Sequence, residues 1–305
     1  MVLFKIFIGM YLLFCVLVNA SEPRQKIVAF AQDTMSNDFR KAQVFEVRDE
    51  LSKHPEIQFI YSDANSQTSL LIYQIQKYIN MNVDVLIVGT NDENAVVPII
   101  KQAYEKGIAV IILDRGIKGN AYTTFINSDN IKIGKLGAEY IAQRLEGKGT
   151  VLLFEGLQKA DVTKERTKGF KEEIAKHKDI KVITRVGNYL RKDAITQTQK
   201  LIEDGIHIDA IFSQSDSMLS GVRLAYKHYG KDNKSIISVG CDYTSEAQEA
   251  IKASEQSASV LFPLGGRESA LVALKILSKK EVPKHIVIPV QLVTKENVAK
   301  VEPIF

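Results

Sequence analysis

The chain has 305 residues, of which 45% are hydrophobic, and its 40 Lys and Arg residues against 36 Asp and Glu give a formal net charge of +4. The basic residues are spread along the chain and form no stripe or arm, which argues against a nucleic-acid-binding protein. The length is sufficient to bury a hydrophobic core and favours two lobes over one.

Residues 1–20 have the pattern of a secretory signal peptide. Lys5 gives a single positive charge, an uncharged apolar stretch runs from Ile6 to Val18, and Val18 and Ala20 occupy the small-residue positions before a cleavage site. The apolar stretch is shorter than the roughly 20 residues that a membrane-spanning helix needs. We therefore predict a soluble, exported protein that is released by cleavage of this segment.

The cysteines predict neither a lipid anchor nor a disulfide. Bulky Leu13 and Phe14 precede Cys15, where a lipoprotein would have small residues. Cleavage after Ala20 removes Cys15 and leaves Cys241 alone, so no intrachain disulfide can form. The stability of the exported chain must come from its hydrophobic core.

From Lys26 onward, short apolar runs alternate with amphipathic stretches, which is the pattern of βαβ units around a parallel sheet. In the predicted helix from Phe39 to Lys53, apolar residues recur at spacings of three and four, and Pro55 ends the helix. The strands predicted in this half are Ile27 to Ala31, Ile57 to Tyr61, Val85 to Val88 and Ala109 to Leu113.

The same alternation repeats after about residue 129 and predicts a second α/β lobe. Its predicted strands are Thr150 to Phe154, Val182 to Val186, Ala210 to Phe212 and Ile236 to Val239. Its predicted helices lie near Ile131 to Leu145, Lys164 to His177, Asp193 to Glu203 and Met218 to Tyr229. The fold class is therefore two doubly wound parallel-sheet lobes.

Three further segments follow the second lobe: Ala258 to Leu261, a helix from Gly265 to Lys280, and an extended stretch from Ile286 to Val293. The simplest arrangement places the helix from Gly265 to Lys280 in the first lobe and the end of the chain in the second lobe. Three crossings then form a hinge, with a ligand cleft between the lobes. The predicted boundaries are 24–127 plus 262–288 for the N-terminal lobe and 128–261 plus 289–305 for the C-terminal lobe.

A charged pair lies at the end of one predicted strand. Asp114, Arg115 and Gly116 directly follow the apolar run from Ile108 to Leu113. Ligands of open α/β sheets bind just beyond the carboxyl ends of the strands, so the pair predicts a ligand site. The alternative is an ordinary charged surface turn.

A second cation lies in the first turn of a predicted helix. Arg166 follows Thr163, where the helix begins, and a positive charge there opposes the helix dipole at a cost of a few tenths to about 1 kcal/mol. We interpret Arg166 as a ligand-binding residue. The alternative is a solvated arginine paired with Glu165 or Asp161.

Polar or aromatic residues follow other strands as well. Asn37 offers an amide and Phe39 an aromatic face to a ligand. The alternatives are that Asn37 does no more than cap the helix and that Phe39 is simply a core residue. In the second lobe, Tyr189, Ser215 and Asp242 follow three successive strands. Tyr189 could stack on a ligand ring opposite Phe39.

With these motifs in order, the chain resembles the periplasmic sugar-binding proteins of the ribose/galactose type, the substrate-binding components of ABC importers. The resemblance covers nearly all of Lys26 to Val293. It is carried by Asn37-Asp38-Phe39, Leu113-Asp114-Arg115, Asn127-Ser128-Asp129-Asn130 with Gly134 and Gly137, Glu165-Arg166 with Gly169-Phe170, Gln214-Ser215-Asp216, and Val239-Gly240-Cys241-Asp242.

The resemblance implies a role for each matching position. The positions of the two aspartates and two arginines hold sugar hydroxyls, the asparagine adds an amide, and the two aromatic rings clamp the sugar. The predicted ligand-binding residues are Asn37, Phe39, Asp114, Arg115, Arg166, Tyr189, Ser215 and Asp242.

Three departures bear on the ligand. Ser215 stands where the ribose-type pattern has an asparagine, Leu261-Phe262 where it has a glutamine, and Arg40 replaces a second aromatic residue. These changes argue against ribose itself. They leave open another pentose, a hexose, a cyclitol or a furanone such as autoinducer-2.

An enzyme is not expected. The five histidines are scattered, with none in a spacing such as His-x-x-x-His. Asp114 and Asp242 should both stay ionised beside the arginines, whereas glycoside hydrolysis needs one protonated carboxyl group. We expect a binding protein, monomeric and without metal or cofactor.

Two kinds of membrane partner remain open. The first hypothesis is delivery of a sugar or sugar-like polyol to a membrane permease. The alternative is a sensory adaptor that presents ligand occupancy to a histidine kinase or chemoreceptor. A sugar-responsive repressor is excluded, because an export signal occupies the place of its DNA-binding domain.

Overall fold

The computed structural model describes residues 24–305 and contains two α/β lobes, each built on a six-stranded sheet. The predicted signal peptide, residues 1–20, lies outside the described residues. No helix between residues 24 and 305 has the length and apolar character needed to cross a membrane. The predicted fold class is confirmed.

The strands and helices follow one another in nearly strict alternation. The strands are β1 Lys26–Gln32, β2 Ile57–Asp63, β3 Val85–Gly89, β4 Ala109–Leu113, β5 Thr124–Ser128, β6 Lys148–Glu155, β7 Asp179–Val186, β8 Ala210–Ser213, β9 Ile237–Asp242, β10 Ala258–Leu261, β11 His285–Ile288 and β12 Gln291–Thr294. The helices are α1 Asp38–Leu51, α2 Thr68–Asn80, α3 Val97–Glu105, α4 Asn130–Arg144, α5 Asp161–Ile174, α6 Arg191–Glu203, α7 Asp216–His228, α8 Ser245–Lys252 and α9 Gly266–Leu277.

The two sheets define the lobes. Lobe one has the strand order β11-β5-β4-β3-β1-β2, and lobe two has the order β12-β10-β9-β8-β6-β7. Apolar clusters pack on both faces of each sheet, which is why the central strands have continuous apolar runs. Helix α9 packs against α1 in lobe one. The chain therefore passes between the sheets three times: after β5, after β10, and between β11 and β12.

Two details differ from the sequence prediction. Strand β5 was not predicted, because its residues alternate between buried and half-buried and include polar Thr124, Asn127 and Ser128. The predicted extended stretch from Ile286 to Val293 is two strands in different sheets, separated by Pro289, which has no N–H to donate. Strand β12 also pairs antiparallel to β10, whereas the other pairs in the described sheets are parallel.

Helices α4 and α5 approach each other closely through two glycines. A Cβ atom at Gly134 would lie 2.1 Å from the carbonyl oxygen of Arg166, and one at Gly169 would lie 2.0 Å from the carbonyl oxygen of Ile131. Real Cβ contacts are never that short, so only glycine permits this packing. The close approach fixes the backbone that carries Arg166.

We expect Gly169→Ala to destabilise the protein by about 1–3 kcal/mol, because the added methyl group forces α4 and α5 apart. The measurement is the free energy of unfolding from urea denaturation followed by far-UV circular dichroism. Lys171→Ala, on the exposed side of the same helix, is the control and should leave the midpoint unchanged. Equal midpoints for the two variants would contradict the close-packing interpretation.

Candidate functional site

A small cavity, with a volume of about 30 Å³, lies between the lobes at the carboxyl ends of the strands. It brings together all eight residues predicted from the sequence as ligand-binding. Arg40, Val162 and Phe262 line it as well. The complete lining is Asn37, Phe39, Arg40, Asp114, Arg115, Val162, Arg166, Tyr189, Ser215, Asp242 and Phe262.

The lobe-one side of the cavity is a cluster of four buried charges. The Arg40 Nη1 atom lies 2.9 Å from Asp114 Oδ2, and Arg40 Nε lies 3.5 Å from Asp33 Oδ1. Arg115 Nη1 lies 3.1 Å from the other oxygen of Asp33. The four side chains are at most 7% exposed, so water screens these interactions little. The Asp114-Arg115 pair is therefore not a surface turn.

Some polar atoms of this cluster remain free. Asp114 Oδ1 and Arg115 Nε are buried and have no hydrogen-bond partner within residues 24–305. Arg40, by contrast, also donates to Gln43 Oε1 and to the Thr90 carbonyl oxygen. Burial and the neighbouring Arg40 charge lower the pKa of Arg115, although a guanidinium stays charged. The cluster thus offers a ligand one carboxylate acceptor and one guanidinium donor.

Arg166 forms the corresponding group in lobe two. It is only 3% exposed, its Nε donates to Asn130 Oδ1 at 2.8 Å, and its Nη1 donates to the Gln214 carbonyl oxygen at 2.8 Å. The solvated alternative for this residue is therefore wrong. Its Nη2 atom forms no hydrogen bond or ion pair to the part of the chain that the structure describes, and is available to a ligand.

Asp242 is buried without an ionic partner. It is 5% exposed, and no Lys, Arg or His between residues 24 and 305 forms an ion pair with its carboxyl group. Burial raises the pKa of Asp242 well above its usual range, and the nearby Arg166 guanidinium only partly opposes the shift. This differs from the expectation that arginines hold Asp242 ionised. The cavity lining thus contains a buried carboxyl group without a counterion in contact.

The backbone at Asp242 is strained, and Asp216 supports it. Asp242 has φ +109° and Tyr243 has φ +64°, both rare for residues with a side chain. The Asp216 carboxylate accepts hydrogen bonds from Tyr243 N at 2.7 Å, Ser259 Oγ at 2.6 Å and Gln256 Nε2 at 2.8 Å. Burial raises the pKa of Asp216 to about 6. These bonds hold the turn that presents Asp242.

The aromatic residues stack within the protein. Phe39 and Phe262 are parallel with ring centroids 5.1 Å apart, and the Arg166 guanidinium lies 4.5 Å from the centre of the Phe262 ring. Tyr189 instead contacts the Arg115 guanidinium, 5.4 Å from its ring centre. Phe39 and Tyr189 thus belong to two separate stacks, each of which ends on an arginine, and both rings line the cavity.

Asn37 and Ser215 serve as helix caps. Asn37 Oδ1 accepts from the backbone N–H of Arg40, and Ser215 Oγ accepts from that of Met218. Asn37 Nδ2 also donates across the cleft to the carbonyl oxygen of Tyr189 at 2.8 Å. The capping alternative is correct for Asn37, but the same side chain also joins the two lobes.

Further contacts across the cleft hold the lobes closed. Lys164 of lobe two lies 2.9 Å from Glu93 of lobe one, and Asp161 Oδ2 accepts from the backbone N–H of Gly116 at 2.6 Å. Glu93 also pairs with Lys118 of its own lobe. The cavity is therefore lined by residues of both lobes, which these contacts hold together.

Asp33 and Val162 are at the site but were not among the ligand-binding residues predicted from the sequence. Asp33 follows β1, so the strand-end rule could have identified it, but its two arginine partners come from separate parts of the chain. Val162 is an ordinary apolar residue with no chemical signal. Phe262 was noted only as a departure, and its stacking needs the folded chain.

No other described region gathers a comparable site. Within residues 24–305, no group of three or more His, Cys, Asp or Glu side chains could hold a metal ion. A larger groove lies between α7 and α8, away from the strand ends. Its Arg223 is already bound to Gln256 and Glu246. The cavity between the lobes is the candidate ligand site.

Comparison with known proteins supports this reading. Residues 28–281 match the periplasmic binding protein domain family. The ribose import binding protein of Bacillus subtilis is 29% identical over 281 residues, which cover 91% of this chain and 90% of that protein. The xylitol-binding protein of Mycolicibacterium smegmatis is 26% identical over 258 residues, covering 82% and 72% of the two chains.

Solved structures agree with the sequence matches. A solute-binding protein of an ABC transporter from Bacillus halodurans, with bound myo-inositol, has a TM-score of 0.85 at 28% identity, covering 90% of this chain and 96% of that one. A fructose-binding periplasmic domain of a hybrid two-component system has a TM-score of 0.84 at 29% identity, covering 90% and 92%. The chain therefore belongs to the periplasmic binding protein family, among the type I sugar-binding proteins of the ribose type.

Proposed function

We propose that this protein is a periplasmic, non-enzymatic receptor that captures a small neutral sugar or polyol between its lobes and delivers it to an ABC permease. The observation that carries the proposal is the pair of buried polar atoms without a hydrogen-bond partner at the cavity, Asp114 Oδ1 and Arg115 Nε, which face the buried carboxyl group of Asp242 in the same lining. Buried polar groups are normally hydrogen-bonded, so these atoms indicate a missing partner.

Hydroxyl groups fit these atoms chemically. A hydroxyl donates its proton to a carboxylate and accepts from a guanidinium, and the cavity presents both groups on both sides: Asp114 with Arg115, and Asp242 with Arg166. Such charge-assisted bonds are stronger in a site that excludes water. A compact molecule with hydroxyls at two ends satisfies both pairs.

The balance of charge favours a neutral ligand. The charged groups in and next to the cavity are three guanidinium and three carboxyl groups: Arg40, Arg115, Arg166, Asp33, Asp114 and Asp242. A phosphate or carboxylate would have to approach free carboxylates without a surplus cation, at a large desolvation cost. Relatives named for ribose and xylitol support the same ligand class.

The partner is proposed from the relatives. Import binding proteins among the curated matches support a permease, while the two-component domain at 29% identity favours a sensory role as the second candidate. Deletion of the gene would distinguish them. Loss of uptake of the bound sugar supports transport, whereas intact uptake with loss of the transcriptional response to that sugar supports sensing.

We expect at least one neutral polyol to raise the melting temperature of the mature protein. A ligand at 100 times its Kd stabilises the native state by about 2.7 kcal/mol through mass action. The measurement is a thermal-shift screen of pentoses, hexoses, fructose, xylitol, myo-inositol and autoinducer-2, followed by calorimetry of the hits. The matched control is Arg166→Ala, which should bind none of them.

Two results of that screen would overturn the proposal. One is a sugar phosphate that stabilises the protein more than every neutral compound. The other is a neutral hit whose affinity is the same for wild type and Arg166→Ala.

We expect Asp242→Asn to abolish ligand binding and to stabilise the free protein by about 1–2 kcal/mol at pH 7. The folded-state pKa of Asp242 is raised above its unfolded value, so the ionised group destabilises the fold at neutral pH. That penalty disappears as the pH falls towards the unfolded pKa near 3.9, where the carboxyl is neutral in both states. The stability difference from wild type should therefore shrink from pH 7 to about pH 4.

The measurement is urea unfolding at each pH, with calorimetry on the ligand identified above. Asp204→Asn, an exposed position of the same lobe, is the control and should change neither stability nor affinity. A less stable Asp242→Asn protein at pH 7 would refute the destabilising effect of the buried, ionised carboxyl group.

We expect Arg40→Met to have the opposite effect and destabilise the protein by about 3–5 kcal/mol. The substitution leaves Asp114 Oδ2 without an ion pair and leaves Asp33 with Arg115 alone. Chemical denaturation measures the loss. Arg48→Met, on the exposed face of the same helix, should leave the denaturation midpoint unchanged, and a similarly small effect at Arg40 would contradict the charged cluster.

A further inference from the structure

One contact between the lobes reaches the ligand site without lining it. Asp161 is the first residue of α5 in lobe two, and its Oδ2 atom accepts from the backbone N–H of Gly116 in lobe one at 2.6 Å. Gly116 directly follows the Asp114-Arg115 pair. The contact therefore joins one lobe to the loop that carries the other lobe's ligand-binding charges.

Helix capping does not account for the whole side chain. The Oδ1 atom of Asp161 accepts from the neighbouring Val162 N–H at 2.8 Å, which is a local contact at the helix start. The Oδ2 atom forms its hydrogen bond across the cleft instead. Burial raises the pKa of Asp161, because closure places the carboxyl group where water reaches it poorly. An acidic side chain that only stabilised the helix dipole would not need to leave the solvent.

Position 116 fits this contact closely. A Cβ atom there would lie 2.9 Å from Asp161 Oδ2 and 3.4 Å from Phe125 Cζ, so any residue larger than glycine pushes the carboxylate away. The loop itself is constrained, because Asp114 has φ +67°. A hydrogen bond from the Gly116 N–H therefore helps to fix the positions of Asp114 and Arg115.

We propose that Asp161 is a positioning residue: its carboxylate closes on the Gly116 N–H, stabilises the closed arrangement of the lobes and fixes the Asp114-Arg115 turn for the ligand. Lys164, one turn along α5, reinforces the same contact through its ion pair with Glu93. Helix α5 thus carries a ligand-binding residue, Arg166, and two closure residues.

The test measures closure without any ligand. Nitroxide labels on cysteines at Tyr73 of α2 and Leu224 of α7, which are 67% and 46% exposed, report the distance between the lobes by pulsed electron spin resonance. The native Cys241 is buried. In wild type we expect a resolvable closed population. Asp161→Ala should lower the ratio of closed to open molecules by about tenfold or more, the effect of losing a hydrogen bond to a charged group.

Three further variants separate positioning from a local structural role. Asp161→Asn keeps one acceptor oxygen and should lose less than Asp161→Ala. Gly116→Ala keeps both partners but displaces the carboxylate, and in combination with Asp161→Ala it should add no further loss, since both act on one contact. Asp38→Asn removes an exposed acid at the same position of α1 and should leave the ratio unchanged.

Several outcomes overturn the proposal: no closed population in wild type, an Asp161→Ala distribution equal to wild type, or additive losses from Asp161→Ala and Gly116→Ala. The proposal rests on the proposed function only in naming Asp114 and Arg115 as ligand-binding residues. Because the experiment contains no ligand, its failure is distinguishable from failure of the sugar screen.

Discussion

The ion pairs of Arg40 with Asp33 and Asp114 constrain the rest of the site. Taking a charge out of water costs several kcal/mol per ion, and only close pairing offsets that cost. Both Nη atoms of Arg40 are therefore bound to protein acceptors and its Nε lies 3.5 Å from Asp33, whose other oxygen pairs with Arg115. What remains for a ligand is decided by this pairing, because one oxygen of Asp114 is taken and the other is free.

Lobe two differs from lobe one, because its buried carboxyl group is not paired with a cation. Asp242 is held in a strained turn by Asp216 but has no counterion in hydrogen-bond contact, and Arg166 is tethered by two neutral acceptors instead. The buried carboxyl group of Asp242 consequently makes the free protein less stable than it could be. Such a loss of stability is common at functional sites. Under the proposed function, a ligand hydroxyl that bonds to both residues would relieve the penalty, so that binding and closure stabilise the same state.

The sequence predicts much of this architecture because buried parallel strands read as apolar runs, as from Ile108 to Leu113, and because chemistry gathers at their ends. It could not predict β5, whose burial comes from its two neighbouring strands, nor the role of Asp33, whose arginine partners meet only in the folded chain. Asn37 shows a further limit: capping and cross-lobe bonding use the same side chain, so the two readings were not exclusive.

The departures from the ribose-type pattern shift recognition from amides to charges. Ser215 is occupied as a helix cap, and Phe262 stacks between Phe39 and the Arg166 guanidinium, so neither position offers a free amide. In the proposed site, selection of the ligand therefore rests mainly on carboxylate and guanidinium groups. A hydroxyl in the wrong place then leaves a buried charge unpaired, which costs more than an unpaired neutral group. Discrimination between epimers should accordingly be steeper here than in a site built on amides.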